Sequence, residues 1–279
     1  MTLRGKHALV TGSSRGIGRG IALALAERGA RVAVHYFENK TAANQTLDAV
    51  RQRGSNGFLV QGDVTRPDEV RRIFRTVEAE FQRLDVFVSN ARPELPFFYE
   101  DPLHVSEEAW DTALASQAKA FLLGVRESIR TMPSGGRIIA VTYAPGARTG
   151  SRQPWIAMGA AKAALDAACR YFAVALAKRG ITVNAVSPGL TEDSVLNSLP
   201  ADAQRAARQW HESGWTPIGR LGTPADIGHV VALLCSEDAH WITGQTIHAD
   251  GGASLMDTVL PLHMQQPAVA TTASGSSRS

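Results

Sequence analysis

The residues with the clearest chemical potential form a glycine-rich turn near the start of the sequence. Residues 11–18 read TGSSRGIG and stand between a predicted strand that ends at Val10 and a predicted helix. Glycines at Gly12, Gly16 and Gly18 permit a tight turn, close approach of the backbone to a pyrophosphate, and close packing of helix on strand. The helix start adds amide donors and a dipole that favours an anion. We expect a phosphate-binding turn here, and the alternative is a simple β-to-α connection.

The elements around this turn alternate between short β-branched runs and longer helical patterns. Strands are predicted at residues 7–10, 31–34, 57–61, 86–88, 137–142, 182–186 and 245–249. Helices are predicted at 17–28, 41–53, 67–81, about 106–132, a long segment that ends near 179, and 224–236. A regular succession of strand and helix implies right-handed crossovers and a parallel sheet that is covered on both faces. We therefore predict an α/β fold with one doubly wound parallel sheet and no internal domain boundary.

Composition argues against several other classes of function. The 279 residues carry a net charge of +3 with no dense basic block, so nucleic acid is not an expected partner. No apolar run is long enough to cross a bilayer, and the N-terminus enters a strand almost at once, so we expect no membrane partner and a cytoplasmic location. The two cysteines lack CxxC spacing and the eight histidines lack metal-ligand spacing, so we expect neither a disulfide nor a metal.

The glycine spacing, with three residues between Gly12 and Gly16, resembles that of the short-chain dehydrogenase/reductase family. Matching segments follow in the family's order from about residue 5 to residue 252. They are Asp63-Val64, Asn90-Ala91, a lysine motif at 161–164, the sequence NAVSPG at 184–189, and residues 244–252. The resemblance implies a Rossmann domain over residues 1–256 with a substrate lobe at about 190–216. It also implies a homotetramer or homodimer. Residues 257–279 form a C-terminal extension, and the last part is expected to be disordered because its Ala, Thr, Ser and Gly residues bury little apolar area.

The resemblance further implies a nicotinamide cofactor. NAD-preferring relatives usually carry an acid at the end of the second strand, and that place is Tyr36 here. Arg15 stands where NADP-dependent relatives hold a basic residue against the 2′-phosphate, and a guanidinium binds two phosphate oxygens at once. We expect NADP(H); the alternative is NAD(H), with Arg15 in solvent and Glu38 on the ribose. The expected cofactor-binding residues are Gly12, Ser14, Arg15, Gly16, Ile17, Gly18, Tyr36, Asp63, Val64, Asn90, Ala91, Lys162, Pro188, Gly189 and Thr191.

The proton-donating centre departs from the family pattern. Most members place a Tyr four residues before a Lys, and that Lys lowers the pKa of the Tyr and holds the nicotinamide ribose. Lys162 keeps the Lys position, but Met158 takes the place of the Tyr, and its thioether has no proton to donate. The family's Ser position falls on Tyr143 and its Asn position on Gln117. Ordinary ketone reduction is therefore in doubt. The candidate catalytic residues are Lys162, Tyr143, Trp155, Met158 and Gln117.

One branch of the family, the enoyl-thioester reductases, resembles this chain more closely at the centre. Those enzymes have Met four residues before the Lys, Tyr at the usual Ser place, and their acid Tyr seven residues before the Lys. Met158 and Tyr143 agree, whereas the third place holds Trp155, whose indole donates a hydrogen bond but gives up no proton. Trp155 therefore either polarises a carbonyl or floors the substrate pocket. Tyr143 becomes the candidate general acid or oxyanion donor, and the alternative is a Tyr packed under the nicotinamide.

Candidate substrate contacts lie in two further segments. Arg92 follows Asn90-Ala91, and it either binds a carboxylate or thioester oxygen or swings into solvent. Consecutive aromatic residues at 97–99 are expected to line an apolar channel or a subunit contact. The lobe contributes large apolar side chains that favour a hydrophobic ligand, with ordinary lid packing as the alternative. The expected substrate residues are Arg92, Phe97, Phe98, Trp155, Leu196 and Trp210.

These features predict an NADP(H)-dependent oxidoreductase that reduces a conjugated C=C bond, or a C=O or C=N bond, of a hydrophobic acyl- or polyketide-like molecule. The first alternative is a non-redox enzyme of the same family, an isomerase or cyclase that retains the cofactor. The second is a cofactor-binding protein without turnover.

Overall fold

A parallel sheet forms the centre of the protein. A computed structural model describes residues 2–94, 100–143, 155–193, 195–256 and 260–265. Within these ranges the strands are β1 (His7–Val10), β2 (Arg31–Tyr36), β3 (Gly57–Gln61), β4 (Val86–Ser89), β5 (Arg137–Val141), β6 (Thr182–Pro188) and β7 (Thr246–Ala249). Their order across the sheet is β3-β2-β1-β4-β5-β6-β7, with every neighbouring pair parallel. The predicted doubly wound parallel sheet is confirmed.

Helices connect the strands and cover both faces of the sheet. They are α1 (Gly16–Glu27), α2 (Lys40–Gln52), α3 (Pro67–Phe81), α4 (Glu107–Leu114), α5 (Ala120–Ser128), α6 (Ile156–Leu176), α7 (Ala201–Trp210), α8 (Pro224–Leu234) and α9 (Leu262–Gln265). A π-helical turn at Ala115–Lys119 joins α4 to α5 inside the segment that the sequence predicts as one helix. Over the described ranges, none of these helices combines the length and the apolar character that a bilayer crossing requires.

Start signals in the sequence explain where two of the helices begin. At α3, Pro67 occupies the first turn, and Asp68 and Glu69 complement the positive end of the helix dipole. At α8, Thr223 and Asp226 form a reciprocal capping box, in which each side chain accepts a hydrogen bond from the other's backbone amide. These signals end the preceding loops at fixed points and so set the positions of both helices.

The two faces of the sheet bury two separate apolar clusters, because adjacent residues of a strand point to opposite sides. On one side Val10 and Val34 pack with α1 and α8. On the other side Leu9 and Ala33 pack with α3, α5 and α6. Strands buried on both faces are typical of a parallel sheet that helices cover. Each large aliphatic side chain so buried contributes about 2 kcal/mol to folding.

The strand order reverses between β1 and β4. The chain starts at β1, runs outward to β3, and returns to β4 on the other side of β1. Doubly wound sheets bind ligands beyond the carboxyl ends of the strands at such a reversal. The turn after β1 and the loops after β4 and β5 open on this edge, so they form the candidate site.

Candidate functional site

The turn after β1 is shaped by glycines. Gly12 and Gly16 have φ angles of +64° and +57°, in the left-handed region that favours glycine. A Cβ at Gly12 would lie 2.8 Å from the Cα of Ala91. A Cβ at Gly18 would overlap the carbonyl oxygen of Gly12 and the side-chain nitrogen of Asn90. The close packing predicted from the three glycines is therefore present in the structure.

The end of β4 holds this turn in place. The Asn90 side chain donates to the carbonyl oxygens of Thr11 at 2.9 Å and Gly12 at 3.1 Å. The Thr11 hydroxyl accepts from the backbone amides of Asn90 at 2.9 Å and Ala91 at 3.1 Å. Asn90 and Ala91 thus fix the shape of the turn, whatever contact they also make with a ligand.

His35 on β2 is a structural partner of the turn that sequence reasoning missed. The Gly12 amide donates to its Nδ1 at 2.9 Å, and its Nε2 lies 3.0 Å from the carbonyl oxygen of Gly62. These partners require the neutral ring with its proton on Nε2. Burial lowers the pKa of His35 to about 4, against weaker raising contributions from the Gly62 carbonyl and Asp63. The signal in the sequence is a titratable residue that follows the apolar run Val32–Val34 within the strand.

The start of α1 fits the pyrophosphate of a dinucleotide. Arg15 is the N-cap residue, and neither a side-chain cap nor a first-turn acid competes for the amides of Gly16, Ile17 and Gly18. A Cβ at Gly18 would collide with the Gly12 carbonyl, so glycine allows the turn to lie close against the helix start. The Ser14 carbonyl is held by the Thr46 hydroxyl at 2.8 Å, which fixes the outer side of the loop.

The residues expected around the adenosine half lie along the ends of β2 and β3. The Arg15 guanidinium is half-exposed and lies 3.7 Å from the Glu94 carboxylate. Tyr36, at the end of β2, is buried in the core. Asp63 accepts hydrogen bonds from the amide and the hydroxyl of Thr65, and Val64 packs against the core. Of the side chains named here, Arg15 alone carries a positive charge.

Lys162 on α6 reaches the carboxyl end of β5. Its amine donates to the carbonyl oxygen of Val141 at 2.5 Å, and the residue is 7% exposed. The pKa of Lys162 is lowered to about 7, chiefly by burial and also by Arg92, whereas Asp166 opposes this shift. At neutral pH this amine is therefore divided between its charged and neutral forms, as a proton-transfer group requires.

Tyr143, Trp155 and Met158 form one apolar wall beside Lys162. The rings of Tyr143 and Trp155 have centroids 5.2 Å apart with planes inclined by 35°. Trp155 and Met158 are buried, and Val195 from the lobe packs against them. The three residues that sequence reasoning assigned to the altered centre are therefore neighbours, although they come from two separate segments of the chain.

Gln117 lies in the π-helical turn between α4 and α5. Its side-chain amide donates to the carbonyl oxygen of Ala91 at 3.0 Å and to the Ser116 hydroxyl at 3.2 Å. Gln117 is buried. Single π turns inside helices frequently mark functional sites, because they redirect one side chain. Here the redirected side chain holds the loop that follows β4.

Arg92 follows that anchored loop and is mostly buried, so the structure does not support the solvated alternative. Its guanidinium donates to the Pro93 carbonyl oxygen at 2.9 Å. Burial lowers the pKa of Arg92, whereas Asp193 raises it, and Arg92 in turn lowers the pKa of Lys162. Arg92 therefore faces the same space as Lys162. The predicted contacts Phe97 and Phe98 lie outside the described residues.

The lobe after β6 packs largely on itself. Leu196 is fully buried with Leu199 and Leu221, which matches the alternative of lid packing. Trp210 is 54% exposed and stacks on Trp215, with centroids 4.4 Å apart. Of the two lobe residues expected to contact substrate, only Trp210 presents a free face.

The loop that enters the lobe begins with Pro188 at the end of β6. A Cβ at Gly189 would lie 2.8 Å from the Cα of Asp250, so glycine permits β6 and β7 to close up. Thr191 is buried and bridges to Gly222. These residues place the lobe next to the end of β5 and therefore next to Lys162.

Comparisons with known proteins agree with this architecture. The family model described as enoyl-(acyl carrier protein) reductase matches residues 12–254. The hydroxynaphthalene reductase-like protein Arp2 of Metarhizium majus is 33% identical over 260 residues, which cover 90% of this chain and 96% of that protein. The 1-cyclohexenylcarbonyl-CoA reductase of Streptomyces collinus is 35% identical over 254 residues, which cover 91% and 88%. The structure of the angucycline C-6 ketoreductase LanV with bound NADP has a TM-score of 0.82 at 36% identity, and the match covers 91% of this chain and 98% of that chain.

Proposed function

Because the chain belongs to the short-chain dehydrogenase/reductase family, we propose that it is an NADP(H)-dependent reductase of a hydrophobic acyl- or polyketide-like small molecule. The observation that carries the proposal is the position of Lys162, tied to the end of β5 between Arg92 and the wall of Tyr143, Trp155 and Met158. A titratable amine, a second cation and an apolar surface are what reduction of a polarised, hydrophobic substrate needs.

The cofactor is NADP(H). The uncapped start of α1 and its glycine turn bind the pyrophosphate, and Arg15 binds the 2′-phosphate once it leaves Glu94. The buried Tyr36 offers no carboxylate that would repel this phosphate. When bound, the cofactor supplies the hydride. Lys162 would hold the nicotinamide ribose, and Gly189 and Thr191 would be further cofactor-binding residues.

The proton chemistry differs from that of most relatives because Met158 stands in the usual place of the phenol. Tyr143 acts as the general acid or as the oxyanion donor, and it lies against the Trp155 ring at the mouth of the site. The Trp155 indole donates a hydrogen bond to the substrate carbonyl or forms the floor beneath it. A conjugated C=C bond suits this centre, because hydride addition at the β-carbon needs only stabilisation of the oxygen, and water can protonate the carbon later.

Arg92 supports an acyl substrate. A mostly buried guanidinium binds a carbonyl or carboxylate oxygen more strongly than a solvated one, because little water screens the charge. The Gln117 side chain fixes the loop on which Arg92 stands. The chain's similarity to a 1-cyclohexenylcarbonyl-CoA reductase and to an angucycline ketoreductase supports a thioester or a polycyclic ketone as the substrate class. Phe97, Phe98 and Trp210 are proposed to line the apolar part.

The unit that carries this activity is proposed to be the domain at 1–256, with the lobe at 190–216 over the substrate. Self-association through α6 is proposed as well. Tyr171 and Val174 stand three residues apart on α6, and each is 81% exposed. A pair of large apolar side chains on one helix face is typical of a subunit contact.

The second candidate is a non-redox reaction that retains the cofactor, and a binding protein without turnover is the third. Most family members transfer a proton from a Tyr to the carbonyl that they reduce. Met158 stands in the place of that Tyr, and the loss of the phenol favours the non-redox alternative. The experiment follows NADPH absorbance with enoyl thioesters, enones, imines and ketones. Oxidation of NADPH by one of these classes supports the reductase. Product without NADPH oxidation supports the isomerase or cyclase, and no reaction with any class supports a binding protein.

A further inference from the structure

The glycine-rich turn after β1 has an anion of the chain's own beside it. The Glu94 carboxylate lies 3.7 Å from the guanidinium of Arg15, the residue that caps the start of α1. The two residues come from separate segments, since Arg15 belongs to the turn after β1 and Glu94 to the loop after β4. The ion pair therefore joins two loops at the carboxyl edge of the sheet, where the cofactor is proposed to bind.

The segment that leads to Glu94 is anchored against the turn. The carbonyl oxygen of Ala91 accepts a hydrogen bond from the Gln117 side chain at 3.0 Å. The Cα of Ala91 lies so close to the turn that a Cβ at Gly12 would come within 2.8 Å of it. Three residues of chain span about 10 Å at most. Glu94 therefore stays in the neighbourhood of Arg15 when the ion pair between them breaks.

This ion pair is open to solvent. The side chains of Arg15 and Glu94 are 53% and 71% exposed. Pairs of this kind contribute little to folding, because water screens both charges and two long side chains lose freedom. A ligand that brings more negative charge therefore displaces the carboxylate at small cost. The ion pair matters for the binding of anions at Arg15 rather than for the stability of the fold.

The 2′-phosphate of NADP(H) and the Glu94 carboxylate need the same donor. A phosphate monoester carries roughly two negative charges at neutral pH, whereas a carboxylate carries one. A guanidinium binds two oxygens of one such group at a time. The phosphate therefore displaces the carboxylate, but the attraction lost with Glu94 reduces the net gain from Arg15. NADH has no 2′-phosphate, so its binding leaves the ion pair intact.

Arg92 gives the displaced carboxylate a second cation. It stands two residues before Glu94, and its guanidinium donates to the carbonyl oxygen of Pro93 at 2.9 Å. Burial lowers the pKa of Arg92; Asp193 and Glu94 oppose this shift, and Arg15 adds to it. The charges of Arg15, Arg92 and Glu94 therefore act on one another. A carboxylate that leaves Arg15 remains attracted to Arg92 and is at hand when the cofactor departs.

We propose that Glu94 is a specificity-determining residue that competes with the 2′-phosphate of NADP(H) for Arg15. The phosphate displaces the carboxylate when the cofactor binds, and the carboxylate returns to the guanidinium as the cofactor leaves. The competition weakens NADPH binding, narrows the preference for NADPH over NADH, and speeds dissociation, a step that limits turnover in many enzymes. The inference rests on the proposed function in one respect, which is the assignment of the 2′-phosphate to Arg15.

Glu94→Gln tests the competition, because it removes the charge and keeps the size of the side chain. We expect NADPH to bind about three- to fivefold more tightly and to dissociate more slowly by the same factor, while NADH affinity stays unchanged. Fluorescence titration of the reduced cofactors measures affinity, and stopped-flow fluorescence measures dissociation. Glu80→Gln is the matched control, because it removes the same charge from the exposed surface of α3, and it is expected to change neither quantity.

A double-mutant cycle with Arg15→Ala decides whether the effect passes through Arg15. Without the guanidinium the carboxylate has nothing to compete for, so Glu94→Gln is expected to change NADPH affinity by less than about 1.5-fold in that background. A gain that persists in full without Arg15, or that appears equally with NADH, overturns the proposal.

The Arg15→Ala protein also separates the two ways in which the inference could fail. If Arg15→Ala weakens NADPH binding and Glu94→Gln changes nothing, the competition is refuted and the proposed phosphate site stands. If Arg15→Ala leaves NADPH affinity unchanged, the assignment of the 2′-phosphate to Arg15 fails, and the role of Glu94 fails with it.

Discussion

The amine of Lys162 donates a hydrogen bond to the carbonyl oxygen of Val141, 2.5 Å away, and so ties α6 to the carboxyl end of β5. Two residues after Val141 comes Tyr143, whose ring contacts Trp155 at the start of α6. The hydrogen bond between Lys162 and Val141 therefore sets the distance between the titratable amine and the wall of Tyr143, Trp155 and Met158. Burial, which lowers the pKa of Lys162 to about 7, makes this amine responsive to pH in the neutral range.

Replacement of the aromatic residues tests their roles. Tyr143→Phe removes a proton donor and keeps the ring, so we expect kcat to fall about 100-fold with NADPH affinity unchanged. Trp155→Phe keeps the apolar floor, so we expect it to lower kcat by about tenfold at most. Single-turnover kinetics separate the two effects. A Tyr143→Phe protein with normal turnover would remove this phenol from the mechanism.

Replacement of Arg15 tests the cofactor preference. Arg15→Ala removes the guanidinium proposed for the 2′-phosphate, and we expect NADPH affinity to fall about 10- to 100-fold while NADH affinity hardly changes. The matched control is Arg19→Ala, because Arg19 is exposed one turn further along α1 and carries the same charge. Binding is measured by fluorescence of the reduced cofactors. Equal losses for both cofactors, or an equal effect of the control, would contradict the assignment.

Replacement of Gly18 tests the shape of the turn. In Gly18→Ala the new methyl group collides with the Gly12 carbonyl and the Asn90 side chain, so we expect NADPH affinity to fall about 100-fold. Gly159→Ala is the control, because a Cβ there meets nothing within 4 Å. Calorimetric titration measures both, and thermal unfolding reports whether the first variant remains folded. Undiminished affinity in a folded Gly18→Ala protein would show that the turn does not bind the cofactor.

Burial of His35 predicts acid sensitivity. Its pKa is lowered to about 4 in the folded protein, against 6.5 in the unfolded chain, so the unfolded state binds more protons between these values. Stability that is present above pH 6.5 is therefore lost as the pH falls toward 4, by about 3 kcal/mol. Denaturant unfolding at several pH values measures this loss. His35→Asn cannot titrate, so its slope over the same range is expected to be shallower, and equal slopes would refute the account.

The elements of the fold could be predicted from the sequence because their signals are local. The alternation of strand and helix gave β1, β3 and α3 at their observed bounds. The glycine turn was predictable for the same reason, since its spacing reports backbone geometry directly. Lobe helix α7 was not predicted, because its buried contacts come from within the lobe rather than from the main core.

Features that depend on register and tertiary packing could not be predicted. Nothing in the sequence places His35 against the Gly12 amide, because that contact requires β1 and β2 to be paired as observed. The burial of Arg92 depends on its tertiary surroundings, and single loop arginines are more often solvated.

The most direct test of the central claim follows the hydride itself. The full chain is given NADPH that carries deuterium on the transferable position of the nicotinamide, together with enoyl thioesters, enones, imines and ketones in turn, and the product is analysed by mass spectrometry. We predict one deuterium bound to carbon in the product for each NADPH consumed, and loss of this transfer in Lys162→Met at NADPH concentrations that saturate the variant. Product that contains no deuterium, formed while the cofactor stays reduced, would contradict the assignment of this protein as a reductase.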